Sequence, residues 1–427
     1  MTPASHVLDV TLHEYHVGTI ANIPGDYNVF VFDKEFRNDP AAPVLSFKAF
    51  RDPISGQCRK SIRSTRTKLQ PYFSNLLPEG HLRRYLAEHA GVKPIRDFPL
   101  LWVLGQDLPG ALVVTDPEAR AMPPRDDVND EPPKTATGDA LLRFSLAGVQ
   151  LKFSATGDPS RGLTIPVQGM GGHWIVKMSD QRFQAVPENE YSMMTFARAV
   201  GIDVPPMGLV DPGSIAGMPS DVRHVSGKAY YIKRFDRGPS GERIHTEDFA
   251  QANQLYPDDK YRRFNFDLLA EQIAQQTGVE GALEFVRRLV FNIGIGNGDM
   301  HAKNWSFIYR DGRTPALTPA YDYLSTVVYV PSDDLGMNFL GSKSFTDVDD
   351  ARITALARRA ALPTKPVLTA AHETVEAMHH HWAALKRDLP MPAEHRDVVE
   401  RHMRSVPLFA APRVHHAPVR RRSDRAQ

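Results

Sequence analysis

The chain holds a single cysteine, Cys58, which excludes an internal disulfide framework and suits a reducing compartment. It also lacks a long apolar run. "FPLLWVLG" is among the longest and falls well short of the about 20 residues that cross a bilayer. Charge of one sign is missing too: 51 Lys and Arg face 50 Asp and Glu, so the whole chain is no polyanion binder by charge. The start, "MTPASHVLDVTLHEYHVG", has no basic segment leading into an apolar core, so no secretory signal is read there. No internal repeat is found. These absences lead us to expect a soluble, cytoplasmic protein without membrane contact. The 427 residues exceed what one compact core usually serves, so two or three domains are expected.

What is present has a clear order. "VGTIANIPGDYNVFVFD" alternates around Pro-Gly-Asp and reads as a hairpin. "LQPYFSNLLPEGHLRRYLAEHAG" takes helical spacing through Leu82, Tyr85 and Leu86 and stops at Gly91. We assign residues 1–120 to a small α+β unit and 121–139, rich in proline and charge, to a linker or mobile loop. Residues 140–236 read as a sheet-rich lobe. Its strands lie in "LLRFSLAGVQLKFSA", "HWIVKMSD", "PPMGLV" and "AYYIKRFDR". Its one helix, "ENEYSMMTFARAVGI", carries Tyr191, Met194, Thr195 and Ala197 near one face and ends at Gly201. Helices dominate 237–410: "TEDFAQAN", "NFDLLAEQIAQQTG", "GALEFVRRLVFNIGIG" and a late set between 364 and 406. The basic tail 411–427 reads as disordered.

One polar knot interrupts two apolar runs: "FNIGIGNGDMHAKNWSFIY", residues 291–309, with Asp299, His301, Lys303 and Asn304 inside six positions. Asp299 and Asn304 stand at the offset of a kinase catalytic loop, where the Asp accepts a hydroxyl proton and the Asn binds magnesium. Roughly one such pair arises by chance in a chain this long, so the rest of the chain must decide. Phosphoryl transfer also needs a cation on the phosphates and carboxylates on the metal. Lys177 closes the apolar strand "WIVK". Glu190 follows thirteen residues later near a helix start, where it could pair with Lys177, although Glu188 competes for that part. Asp322, in "LTPAYDYLST", falls where a second metal-binding aspartate belongs. Singly these read as a solvated lysine, a carboxylate on a helix dipole and a turn or cap aspartate. Together and in order they carry weight.

"FSLAGVQLKFS", "NEYSMMTFARAVGIDVP", "YYIKRFDR", "HTEDFAQ", "NGDMHAKNWSF" and "LTPAYDYLST" resemble the motifs of HipA-type serine/threonine kinases, the toxins of bacterial toxin–antitoxin pairs. "NLLPEGHLRR" and "FPLLWVLGQDLPGAL" resemble that family's N-terminal subdomain. The resemblance runs from about residue 15 to 330. It implies an α+β fold: two protein-kinase-like lobes, of PI3/4-kinase-like type, with a small extra N-terminal subdomain. It further implies Asp299 as catalytic base and Asn304 and Asp322 as magnesium ligands. ATP would be bound by Lys177, Lys152, Lys233, Phe235 and His301, with Glu190 partnering Lys177. The "SLAGVQLK" loop would cover the phosphates, although it lacks the G-x-G-x-x-G of ordinary protein kinases. Ser145 matches the serine that the family autophosphorylates to silence itself. The implied partners are a helix-turn-helix antitoxin (HipB-like), DNA only through that antitoxin, and a translation protein as substrate, typically an aminoacyl-tRNA synthetase.

Two other readings stand beside this one. A small-molecule kinase of aminoglycoside or choline type shares a G-D-x-x-x-x-N loop; the "FSLAGVQLK" segment and the N-terminal unit argue against it. A non-catalytic kinase-like partner of a DNA-binding antitoxin is the other, and the full set of metal and base residues argues against that. His372, His379, His380 and His381 lie on one expected helix without H-E-x-x-H or a cysteine partner, so they read as structural or solvated.

Overall fold

The structure is a computed structural model that describes residues 5–51, 58–59, 62–89, 92–119, 152–165, 172–179, 182–218 and 227–410. The expected linker 121–139, Ser145 and the basic tail 411–427 lie outside the described residues.

The N-terminal part is built on an antiparallel sheet ordered β4-β3-β2-β1-β5. Its strands are β1 (His6–Leu12), β2 (Tyr15–Ile23), β3 (Tyr27–Phe32), β4 (Thr65–Arg66) and β5 (Leu112–Thr115). Alternation makes one face apolar: Leu8, Val10 and Leu12 of β1 are fully buried. The Pro-Gly-Asp turn joins β2 to β3 as expected, with Gly25 and Asp26 both in left-handed backbone. Helices α1 (Lys34–Asn38), α2 (Pro71–Ser74), α3 (Gly80–His89) and α4 (Asp97–Leu104) complete this part. The apolar run noted in the sequence is α4, and Phe98, Leu100 and Leu101 sink into the core beside Phe73 and Phe30.

A second sheet, ordered β7-β6-β8-β10-β9, uses β6 (Lys152–Asp158), β7 (Gly162–Thr164), β8 (Trp174–Lys177), β9 (Met207–Val210) and β10 (Ala229–Lys233). Helix α5 (Val186–Ala199) packs against β9 and β10 on one side and a later helix on the other. Its buried face is therefore wider than the expected one. Glu190, Met193, Met194 and Ala197 are buried, whereas Tyr191 and Thr195 are only half-buried.

The third part is mostly helical: α6 (Phe249–Ala252), α7 (Phe266–Gly294), α8 (Asp350–Arg359), α9 (Thr364–Leu385), α10 (Ala393–Ser405) and α11 (Pro407–Ala410). A small sheet of β11 (His245–Asp248), β12 (Ser306–Tyr309) and β13 (Ala316–Leu317) crosses it. The segment expected as the helix "TEDFAQAN" is thus half strand. Thr246 and Glu247 pair with Ile308 and Phe307, and Asp248 then caps the one-turn α6 through a capping box. The two helices expected between 265 and 296 are the two stretches of α7, separated at Gly278, whose backbone is not helical (φ +69°). Helix α8 was not anticipated. Among the described residues no helix is long and apolar enough to cross a membrane. A sheet lobe and a helical lobe, with a further α+β unit ahead of them, is the architecture that the motifs implied.

Candidate active site

Sheet register builds the first half of the site. Lys177, the last residue of β8, lies directly across from Lys152 of β6. Two lysines in cross-strand register repel, so an anion is needed between them. Asp322 supplies it: Oδ1 accepts from Lys177 Nζ, and Oδ2 lies 3.6 Å from Lys152 Nζ. Lys177 also donates to Glu190 of α5, and its ammonium sits 5.6 Å from the centre of the Tyr230 ring. Lys177 and Glu190 are both nearly inaccessible to solvent. Burial alone would discharge Lys177, but Asp322 and Glu190 outweigh it and keep the ammonium protonated. Burial likewise works against the Asp322 carboxylate, yet Lys152 and Lys177 hold it well below the usual range. Asp322 occupies left-handed backbone, φ +57°, which is uncommon for a residue with a side chain and recurs where geometry serves a site.

The second half is the loop that follows α7. Asn297 bonds back to Asn292 of the helix and accepts the Asp299 N–H at 3.0 Å, while Gly298 N–H donates to Thr326 Oγ1 at 2.7 Å. These bonds hold the polar knot against an apolar interior. Asn304 donates its amide to the Asp299 carbonyl at 2.7 Å, closing the loop upon itself. The Asp299 carboxylate accepts from the Tyr261 hydroxyl. Burial pushes its pKa up to about 6, against the opposing pull of Lys260 and Tyr261, and the charge of Asp322 adds to the rise. The two halves are therefore close enough to feel each other's charge. His301 is buried, with Nε2 3.9 Å from Asp299 Oδ1, and neither ring nitrogen has a hydrogen-bond partner among the described residues. Burial and Lys260 hold the ring neutral.

Most of the expected residues converge. Lys152, Lys177, Glu190 and Asp322 form one cluster, and Asp299, His301 and Asn304 share the neighbouring loop. Phe235 lies by Tyr321, ring centres 5.5 Å apart, next in sequence to Asp322. Lys233 stands half-exposed on β10 opposite Trp174 and shares no described hydrogen bond with either cluster. Arg234, next to it in sequence, turns away to a buried network with Asp107, Asp236 and Arg237. Ser145 is outside the described residues.

Four residues that sequence reasoning did not single out complete the surroundings. Tyr261 meets Asp299, and Tyr321 ties the two halves by donating to the Lys303 carbonyl at 2.9 Å. Glu79, from the N-terminal unit, accepts from Lys260 at 2.8 Å and lies 2.9 Å from Lys303. Burial would raise the Glu79 carboxyl, but Lys303 and Lys260 hold it well below the usual carboxylate range. For Glu79, "NLLPEGHLRR" was the one trace in the sequence, and it named no partner.

The donor set suits magnesium and a nucleotide polyphosphate. Asp322 and the Asn304 side-chain carbonyl offer hard oxygens, which Mg²⁺ prefers. Lys152 and Lys177 present two cations in register, and the unpaired His301 nitrogens are buried polar atoms that lack a partner within the protein.

Comparison with known proteins agrees on one family. Residues 8–115 match the family model described as HipA N-terminal domain, and residues 144–382 match that of the HipA-like C-terminal domain. A protein of Sinorhizobium fredii named "Putative kinase Y4dM" is 45% identical over 95% of this chain and 98% of its own length. The serine/threonine-protein kinase toxin HipA of Shewanella oneidensis is 26% identical over 65% of this chain and 67% of its own. The solved complex of Shewanella oneidensis HipA, HipB and operator DNA contains a chain that superposes with a TM-score of 0.69. That likeness covers 94% of this chain and 96% of the other at 21% identity, and so speaks for a shared two-lobed, kinase-like fold.

Proposed function

The chain belongs to the HipA family, and on that premise we propose that it is an ATP- and magnesium-dependent serine/threonine protein kinase acting on a translation protein. The observation that carries the reading is Lys177, fully buried and shared between Glu190 and Asp322, with the Asp299 loop beside it. When bound, magnesium-ATP supplies the phosphoryl group and the charge that offsets its transfer. Asn304 and Asp322 hold the metal, and Lys177 and Lys152 hold the phosphates. Glu190 keeps Lys177 in place, while Phe235, Lys233 and His301 line the nucleotide side. Asp299 takes the acceptor hydroxyl's proton; a carboxyl raised to about 6 by burial is a stronger base than an ordinary aspartate. Its present partner, the Tyr261 hydroxyl, marks where an acceptor hydroxyl would dock.

The chain divides into the N-terminal subdomain 1–120, a linker 121–139, the sheet lobe 140–236, the helical lobe 237–410 and a basic tail 411–427. The kinase works in the cytoplasm beside a HipB-like antitoxin that brings it to DNA. Autophosphorylation of Ser145 adds about −1.5 to −2 charge to a loop that covers phosphates, which would repel it and silence the enzyme. The synthetase identity of the substrate rests on family membership alone.

The test is brief expression of the wild type and of Asp299→Asn, followed by phosphoproteomics and growth measurement. New phosphoserine or phosphothreonine on a translation protein in the wild type alone is expected, together with slowed growth. Labelling of a metabolite and no protein would favour a small-molecule kinase. Equal growth effects from both would mean that catalysis is not the cause. Intact-mass and peptide mapping after incubation with magnesium-ATP tests Ser145; an active Ser145 phosphoform would contradict its silencing role.

A further inference from the structure

The segment "NLLPEGHLRR" has no part in the kinase reading, yet it reaches the catalytic loop. Leu76 and Leu77 are anchored in the core of the N-terminal unit, and Glu79 follows just before α3. One Glu79 oxygen accepts from Lys260 at 2.8 Å, and the other lies 2.9 Å from Lys303. Lys303 also donates to the Asn75 carbonyl at 2.9 Å, so the same short segment holds it twice. Lys303 lies between Asp299 and Asn304, and Lys260 precedes Tyr261, whose hydroxyl meets Asp299. The two held segments are themselves joined, because Ala302 N–H donates to the Lys260 carbonyl at 3.3 Å. Lys260 is buried and Lys303 nearly so, which leaves little water to replace a lost carboxylate.

We propose that Glu79 is a positioning residue for phosphoryl transfer: from the N-terminal unit it fixes both segments that flank Asp299. The inference rests on the kinase reading above. Without the Glu79 charge the loop still forms, because Asn297, Asn304 and Thr326 bond it internally, but Asp299 is held less closely to the acceptor hydroxyl. Small misplacements of a reacting group cost rate rather than nucleotide affinity.

The full chain is compared as wild type, Glu79→Gln and Glu79→Asp. The readouts are kcat, KM for ATP, and hydrogen–deuterium exchange over residues 297–305. Glu79→Gln should lower kcat at least tenfold, leave KM for ATP within about twofold, and speed exchange in that loop without speeding it in α9. Glu79→Asp, which keeps the charge, should recover part of kcat. Should Glu79→Gln not fold, Lys303→Met removes the Lys303 contacts to Glu79 and Asn75 while Lys260 still holds Glu79, and carries the same expectation. An unchanged kcat, or a loss matched by uniform exchange across the protein, overturns the inference while the kinase reading stands. A wild type that transfers no phosphate overturns the kinase reading, and the inference with it.

Discussion

Two seams meet at the site, and they are built differently. The seam between the sheet lobe and the helical lobe has an apolar part, where Phe196 packs on Phe291 and Trp382, and at the site a charged part, with Lys177 and Lys152 on one side and Asp322 on the other. The seam between the N-terminal unit and the rest is wide and leans on backbone. Arg237 donates to the carbonyls of Leu108 and Gly110, His245 meets the Leu45 carbonyl, and Glu247 accepts from Phe47 N–H. At Gly110 the chains approach so closely that a Cβ would lie 2.9 Å from Thr246 N, and φ is +74°. Backbone acceptors neither titrate nor swing aside. On the proposed kinase reading, a carboxylate held by ammonium groups would trade them for a metal while the lysines turn to phosphate. The charged part of the lobe seam is thus suited to exchange partners, and the seam to the N-terminal unit is suited to stay shut.

The largest effect is expected where the working seam loses its centre. Lys177→Ala should bring phosphoryl transfer below detection and lower stability by about 3–5 kcal/mol, because Glu190 is left buried without its cation. Phosphate transfer and urea unfolding measure the two losses. Unchanged stability would mean that Glu190 takes a proton or another partner, its carboxyl being already raised by burial, and that this contact is not held by charge. Asp299→Asn should separate rate from stability at the same site. Loss of the base costs on the order of 10²-fold or more in rate. The melting temperature should hold or rise, since burial already disfavours this carboxylate. Near-wild-type transfer would remove Asp299 from the chemistry.

The difference between the seams also explains what could be read from sequence. Lys177 closes a recognisable strand, Glu190 opens a recognisable helix, and Asp299 and Asn304 sit five residues apart in one loop, so local spacing flags each of them. The permanent seam has no such signature. Lys260 and Glu79 are 181 positions apart, and Arg234 and Asp107 are 127 apart. A glutamate after Leu-Leu-Pro, or an aspartate after an apolar helix, reads as a surface residue until the fold brings its cation. Strand β11 was hidden for a related reason. Its Thr-Glu-Asp stretch suits a helix start, and only pairing with β12 decides otherwise.

The permanent seam can be opened at Asp107. Its carboxylate is shared by Arg234 and Arg237, at 3.1 and 3.0 Å, and both arginines are buried. Asp107→Ala leaves two guanidinium groups with Asp236 alone, which should cost about 3 kcal/mol. Limited proteolysis should then cut at the margin of the N-terminal unit before the rest unfolds. A single cooperative transition at the wild-type midpoint would show that this network is not what keeps the seam shut.

The smallest effect depends on pH and comes from Glu247. One of its oxygens, Oε1, accepts from Phe47 N–H and the Tyr309 hydroxyl. Burial pushes its pKa from 4.5 to about 7, with hydrogen bonds from Ser46, Tyr309 and Phe47 opposing and the charge of Asp248 adding. The folded chain therefore keeps a proton that the unfolded chain releases above pH 4.5. The stability linked to that proton is fully present below pH 4.5 and is lost as pH rises through about 7. Glu247→Gln stays neutral throughout. Wild type should match it near pH 4.5 and fall behind it by pH 8, with an upper bound of ~3 kcal/mol at 1.36 kcal/mol per pK unit. Asp248, also raised by burial, titrates in both proteins, and its coupling to Glu247 is part of the measured gap. Urea midpoints for the pair between pH 5 and 8 give the answer. A gap that does not change with pH would mean that water reaches Glu247, and that the seam is open there.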